Sequence, residues 1–557
     1  MPTIHFDRYY RYDDLVRLLN EYAAEFPDLV TVEMVGKSHE GREIPLVTVT
    51  NAKTGAAKDK PAFWCDGNIH ASEVSASAAV LFIIHKLTGS YGKDDTITRA
   101  LDTRAFYLMP RVNPDGAEWA LADKPKIIRS GTRPYPYDEE DYYGLEREDM
   151  DGDGRVLEMR IEDPTGPWKV SEKEPRLMER REPGEVGGKY YRLLPEGKYH
   201  NWDGLTLRGK KMPQGLDFNR NFPSHWRQEH EQYGAGPYPT SEPEIRALVQ
   251  AITDRPNICG AVTFHTFSGV HLRPPSDKPD DDLPAEDVWD YKVIGEKAEE
   301  LTGYPAISNY HEFRYHPKEV ITGVFDDWMY EHRGVFAWTT EIWSPQRQAG
   351  ITDYKYIDWF RTHPFDDDIK LLKWSDEKLG GKGYVDWYEF DHPQFGKIEM
   401  GGWDSQYAFR NPPPDYLEKE IAPFADWVVW QALISPKLES YKVVTEKVGE
   451  GTVIRFAVDN TGWLPTYVTA MGRDKKLCRG VVGEIEVGEG VRLVSGKIRQ
   501  EGPQLEGHAR VPSSGFGWLL NETNHRHVFE WTVTGSGKVK VTAGHERAGR
   551  VSEELEI

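Results

Sequence analysis

Between Tyr12 and Phe26 the apolar residues Leu15, Leu18, Leu19 and Tyr22 recur three and four positions apart, which predicts an amphipathic helix that Pro27 stops. The next two segments, LVTVEMVG and IPLVTVTN, are rich in β-branched residues and bounded by Asp and Gly, as strands are. PAFWCDGNIH reads as a strand running into a loop. SEVSASAAVLFIIHKL reads as a strongly apolar helix with Ser72 as its N-cap, and AFYLMPRVNPDG as a further strand closed by turn residues. The rhythm returns after residue 215 with the helix SEPEIRALVQAITD, the strand GAVTFHTF, the helix AEDVWDYKVIGEKAEELTG and the strand VFAWTTEIW. Alternation of this kind predicts an α/β fold: a mixed central β-sheet flanked by helices, with functional groups where strands end.

Two stretches break the pattern. From about residue 117 to 215 the chain is crowded with Asp, Glu, Arg, Pro and Gly, and it reads as a long insertion beside the active face, without periodicity of its own. From Pro436 onward, short alternating strands such as GTVIRFAVDN and HVFEWTVTG follow one another with no convincing helix. The expected organisation is a catalytic unit over residues 1–435 and an all-β sandwich appendage over 436–557. A length of 557 residues fits two or more domains.

Composition narrows the function. Lys and Arg number 69 against 91 Asp and Glu, a net charge of −22, so phosphate backbones and anionic lipid surfaces are repelled. No nucleic-acid or membrane partner is expected, and no apolar run approaches the roughly 18 residues of a spanning helix. The N-terminus MPTIHFDRYYRYDDL has charges where a secretion signal has its apolar stretch, and Cys65, Cys259 and Cys478 are odd in number and far apart. A reducing, cytoplasmic location is the expectation.

Four patches carry candidate chemistry. His70 and Glu73 lie three apart at a strand-to-helix corner, where both side chains can reach one ion. His265 sits in the apolar strand GAVTFHTF, where an isolated histidine is more often a core residue. In Asp217-Phe218-Asn219-Arg220-Asn221, a guanidinium beside an amide makes a fork for a carboxylate. Glu341 ends the apolar strand VFAWTTEIW, and a carboxylate there is costly unless paired, metal-bound or used for proton transfer.

In this order, and with Asn113-Pro114-Asp115-Gly116 between the first and second and Asp327-Trp328-Met329-Tyr330 before Thr339-Thr340-Glu341, the set resembles the zinc carboxypeptidases of the carboxypeptidase A/B type. The resemblance runs from Arg8 to about Gln431, interrupted by the insertion. It implies His70, Glu73 and His265 as zinc ligands and Glu341 as the general base that takes a proton from zinc-bound water. It implies Asn219 and Arg220 as the grip on the free C-terminal carboxylate of a peptide. An arginine after N-P-D-G is implied at the oxyanion, Arg129 being the nearer candidate and Arg133 the alternative.

Some positions depart from the family pattern. Ser72 stands where the pancreatic enzymes carry an arginine, so one subsidiary substrate contact is missing. The substrate-binding tyrosine has no match at its usual spacing, where Glu319 falls; Tyr315 is the substitute. Asp326 falls where enzymes that favour C-terminal Lys or Arg carry an aspartate. The catalytic pattern starts at once, so an enzyme made active without an activation segment is expected.

One motif lies outside this set. Asp149, Asp151 and Asp153 have the D-x-D-x-D-G spacing of a calcium loop, but Arg160 occupies the closing position and Glu158 is the substitute, so Ca2+ is a candidate structural ion for the insertion. The alternatives to a carboxypeptidase are a zinc deacylase of N-acyl amino acids and a non-catalytic binding protein of the same fold. Zinc content and a panel of peptides against N-acetyl amino acids separate the three.

Overall fold

The structure, a computed structural model, describes residues 1–135, 142–208, 214–316, 318, 319, 321–509 and 522–557. The parts of the insertion at 136–141 and 209–213 lie outside the described residues.

Eight strands form the central sheet: β1 (Val30–Lys37), β2 (Glu43–Val49), β3 (Ala62–Gly67), β4 (Ala105–Met109), β5 (Ile258–Thr266), β6 (Val270–Arg273), β7 (Ala306–Ser308) and β8 (Phe336–Ile342). Their spatial order is β1-β2-β4-β3-β5-β8-β6-β7. The four central strands β4, β3, β5 and β8 run parallel, and antiparallel neighbours flank them, so the sheet is mixed as expected. Strands β3, β4 and β5 are buried along their whole length, which is why they read as apolar runs rather than alternations.

Helices α1 (Tyr12–Glu25), α2 (Val74–Ser90), α3 (Asp95–Thr103), α4 (Pro243–Thr253), α5 (Ala285–Thr302) and α6 (Pro414–Ile434) pack around the sheet. Leu15, Leu18, Leu19 and Tyr22 are the buried face of α1. Helix α2 is apolar on every side because it lies between the sheet and α6.

Ser72 is not the N-cap of α2. Glu73 takes that position, and its carboxylate turns toward the imidazoles rather than toward the helix N–H groups. A distant residue does the capping: the backbone N–H of Ser75 donates to Asn411 Oδ1 at 2.9 Å.

The insertion is not structureless. Its strands Glu158–Glu162, Trp168–Val170, Met178–Arg180 and Tyr191–Pro195 join the hairpin Tyr384–His392/Gly396–Trp403 in a six-stranded sheet, and Lys126–Ile127, Gly144–Glu148 and Gly197–His200 make a three-stranded one. The strands are three to five residues long apart from Lys126–Ile127, and are laced with charge, so their alternation was masked; Glu158-Met159-Arg160-Ile161-Glu162 carries it most clearly, with Met159 fully buried.

Among the described residues from Leu438 to Glu556, eight strands form two four-stranded sheets. Ile454, Phe456 and Val458 of one pack with Val539, Val541 and Ala543 of the other into a separate core. A short helix, Ala470–Asp474, is added to the expected all-β pattern; the N–H groups of Ala470 and Met471 donate to Asp287 of α5 and fasten this unit to the first.

Candidate metal centre and cleft

The site is written into the pleat of the sheet. Alternate residues of a strand share a face, and registered residues of neighbouring strands stand side by side. Asp66 of β3 is registered with Thr263 of β5; Thr263 is registered with Thr339 of β8, and His265 with Glu341. These five polar side chains therefore form one ladder climbing to the C-terminal ends of the parallel strands.

His70 and Glu73 arrive from the loop between β3 and α2. The Nδ1 atoms of His70 and His265 are 3.0 Å apart, and each lies 3.0–3.1 Å from an oxygen of Glu73. Three donors on a tetrahedral zinc with bonds of about 2.0–2.1 Å sit roughly 3.3 Å apart, so this donor set fits the ion. All three residues are buried, and burial pushes His265 down to about 4, which keeps its imidazole in the neutral, ligating form.

Each histidine has a second partner that sequence reading missed. His70 Nε2 lies 3.1 Å from Asp217 Oδ1, and His265 Nε2 lies 3.3 Å from Thr263 Oγ1, which donates to Asp66 at 2.6 Å. Carboxylate–histidine pairs of this kind fix the ring and its tautomer. Asp217 was visible in the D-F-N-R-N run, but nothing in the sequence ties it to His70. Although burial opposes ionisation, Arg129 and then Arg220 hold its carboxyl well below the usual range.

The two candidate arginines lie in different settings. Arg129 donates to Asp217 at 3.0 Å and stands 3.5 Å from Glu73, while Arg133 is turned away into an ion pair with Glu242. The loop that carries Arg129 is pinned by Asn113, whose amide donates to the Ser130 carbonyl, and by the Ala71 N–H on the Arg129 carbonyl. Gly116 is required there, since a Cβ would meet Ala71, Asn113 and Ser130 at 2.6–2.7 Å.

Asn219 and Arg220 lie in a tight turn zipped to residues 323–325. Phe325 N–H donates to Asn219 Oδ1 at 2.9 Å, which leaves the Asn219 amide nitrogen without a protein partner among the described residues. Gly323, at φ +70°, lets the two segments close, because its Cβ would stand 2.4 Å from the Arg220 carbonyl.

Glu341 Oε2 is enclosed with no hydrogen-bond partner, and burial followed by the charge of Glu73 pushes its carboxyl well above the usual range. Tyr315 is 55% exposed, yet its phenol lies within electrostatic reach of Arg129, Glu341 and Arg220. Asp326 is 1% exposed, accepts from Asn309 at 2.9 Å, and burial pushes it up to about 6.

The three carboxylates of the insertion loop do converge, their oxygens within 4.8 Å of one another, but Glu158 is not among them. It faces the Trp403 N–H across the six-stranded sheet, and Arg160 pairs with Glu399. Asp149 instead accepts from the Gly152 and Gly154 N–H groups, Asp151 from Tyr388, and Asp153 from Arg155. The substitution of Glu158 for the closing ligand is therefore corrected.

A family model described as zinc carboxypeptidase matches residues 15–154 and 169–361. The chain belongs to the zinc carboxypeptidase family. Carboxypeptidase B of Astacus astacus is 26% identical over 352 residues, 60% of this chain and 86% of that protein. Carboxypeptidase A2 of Rattus norvegicus is 36% identical over 114 residues, 20% of this chain, and the match spans only 26% of the rat protein. The crystal structure of a carboxypeptidase A from Helicoverpa armigera aligns at 17% identity with a TM-score of 0.42, over 77% of this chain and 73% of that one. Residues 437–556 match a second model, described as a domain of unknown function. Family membership makes the protein a metallocarboxypeptidase; no helix among the described residues is long and apolar enough to cross a membrane.

Proposed function

We propose that the protein removes single residues from the free C-terminus of peptides, with His70, Glu73 and His265 holding zinc. The observation that carries this is the strand register: it sets Glu341 beside His265 while Arg129, Asn219 and Arg220 converge on the same strand ends. A bound zinc ion supplies Lewis acidity and a water whose pKa falls toward 7. Glu341 takes the proton of the attacking water and returns it to the leaving amine nitrogen. Arg129 faces the carbonyl oxygen as charge develops on it, and Arg220 with the Asn219 amide holds the terminal carboxylate.

A finer reading is a preference for C-terminal Lys or Arg. It is supported by the setting of Asp326, a buried carboxylate whose hydrogen-bond partners are neutral side chains and backbone, so that a cation of the substrate would hold it ionised. The test is mass spectrometry of zinc-loaded protein with peptides of varied C-termini. Release should require a free carboxylate, vanish in His70→Ala, and favour Lys over Leu in the native protein but not in Asp326→Ala. Cleavage of amidated peptides, or of N-acetyl amino acids alone, would overturn the exopeptidase reading.

A further inference from the structure

Arg410 lies outside the span that matches the family, yet its guanidinium enters the metal centre, 3.9 Å from Glu73 Oε1. The turn that carries it, Ser405–Arg410, is bolted to the loop bearing the zinc ligands. Gln406 and Asn411 both donate to the Ser72 carbonyl, at 3.0 and 2.8 Å, Asn411 caps Ser75, and the Trp343 indole donates to the Ala408 carbonyl at 2.9 Å. These contacts fix the backbone from which the guanidinium projects.

The side chain is only 25% exposed, but no hydrogen bond ties it to the protein among the described residues. A guanidinium enclosed in this way without a hydrogen bond is complemented by an anionic group. Arg410 and Arg220 come from different elements: Arg220 lies in the turn closed against Gly323 and Phe325, and Arg410 in the turn packed on Ser72. Phe409, next to Arg410, meets the ring of Phe267 edge-on at 6.5 Å, as does Tyr356. Tyr356 in turn lines a cavity of about 670 Å³ whose wall carries Arg314, Arg347, Lys355 and Arg361 against the carboxylates of Glu312 and Asp358. In a chain of net charge −22, this face is locally positive.

The geometry points to Arg410 as the specificity-determining contact for a carboxylate on the acyl side of the scissile bond, within two residues of it. The substrate class is a peptide with an acidic residue just before its C-terminal residue. This rests on the carboxypeptidase reading, and binding rather than turnover tests it. Zinc-loaded Glu341→Gln protein is titrated with peptides that differ only by Glu or Gln at the one or two positions before the C-terminal residue, each with a free or amidated C-terminus.

The Glu peptide should bind about tenfold more tightly than the Gln peptide, and the ratio should fall to within twofold on adding Arg410→Gln and be partly kept by Arg410→Lys. Zinc content of each variant is measured in parallel, and Arg410→Lys, which keeps the charge, should hold it. Equal binding of Glu and Gln peptides, or a ratio untouched by Arg410→Gln in zinc-loaded protein, overturns the assignment. Loss of the free-carboxylate dependence with the ratio intact counts instead against the carboxypeptidase reading, and no binding of either peptide at millimolar concentration overturns both.

Discussion

Asp217→Asn isolates what the carboxylate behind His70 contributes. One carboxylate oxygen accepts from His70 at 3.1 Å and from the Asn219 N–H at 2.9 Å, and the other accepts from Arg129 at 3.0 Å. An amide has only one accepting end. If its oxygen stays on His70 and Asn219, its NH₂ faces the Arg129 N–H, donor against donor; if it flips, His70 loses its acceptor. Either way at least one charge-assisted hydrogen bond goes, about 1.5–3 kcal/mol, and a negative charge leaves the neighbourhood of two guanidiniums. Partners behind a metal ligand typically contribute a factor of about 10–100 in affinity, or roughly 1.4–2.8 kcal/mol. Zinc affinity measured by competition with a chromogenic chelator should therefore weaken by one to two decades. A melt of the metal-free protein, run in parallel, separates general destabilisation from loss of ligand orientation. A zinc Kd within threefold of the native value would refute the argument, because it would mean that His70 holds its tautomer and direction without Asp217.

Three further predictions follow from other parts of the molecule. Glu341→Gln should keep zinc and peptide affinity while kcat falls by orders of magnitude, and a loss of less than tenfold would make Glu341 structural. Glu244 is 1% exposed, its Oε1 accepts from the His39 N–H, its Oε2 has no partner, and burial pushes it up to about 7 from an ordinary 4.5. The folded carboxyl keeps its proton where the unfolded one has lost it, so the native protein loses stability as pH rises from 4.5 to 7; Glu244→Gln should recover up to about 3 kcal/mol at pH 8 and little at pH 5, and an unchanged difference in melting between those pH values would sink this. Calcium at 100 μM, with zinc held constant, should leave the melting temperature unmoved, because the D-x-D-x-D-G loop lacks its closing carboxylate; a shift at micromolar calcium would show that three aspartates and backbone oxygens suffice.

How far the sequence carried these conclusions depends on how local each signal is. The helix at Leu15–Tyr22 and the strands around Cys65, Phe106 and Phe264 follow from periodicity within a dozen residues, and the structure keeps them. His70, Glu73, His265 and Glu341 were legible as motif-bearing residues, and the strand register explains why four residues spread over 272 positions meet. What stayed hidden is held by partners distant in sequence. The cap of α2 is 336 residues away, at Asn411, so the local rule pointed to Ser72 instead. The insertion reads as polar loop because its apolar residues number only one to three per strand and those of Glu158–Glu162 and Tyr191–Pro195 find partners on the hairpin at 384–403. Glu158 lay two positions short of the closing ligand of a calcium loop, and nearness in sequence says nothing of which way a strand turns its side chains.

The charges at the strand ends make sense as one set. Glu73, Asp217 and Glu341 are three carboxylates, and Arg129, Arg220 and Arg410 are three guanidiniums set among them. Taken with every group ionised, they cancel. Zinc in the His70–Glu73–His265 donor set then leaves the centre with two positive charges in surroundings of low dielectric, where an unbalanced charge is expensive. Under the carboxypeptidase reading proposed above, a peptide's terminal carboxylate would neutralise one of them on binding, and proton transfer to Glu341 as water attacks would move a negative charge from Glu341 to the carbonyl oxygen facing Arg129 without changing the total. The same balance would favour peptides with a free C-terminal carboxylate over amidated ones. It also gives Arg410 a role that local pairing does not. Placed next to Glu73 without a hydrogen bond to it, Arg410 adds positive potential to the centre while keeping its donors free for a second anionic group.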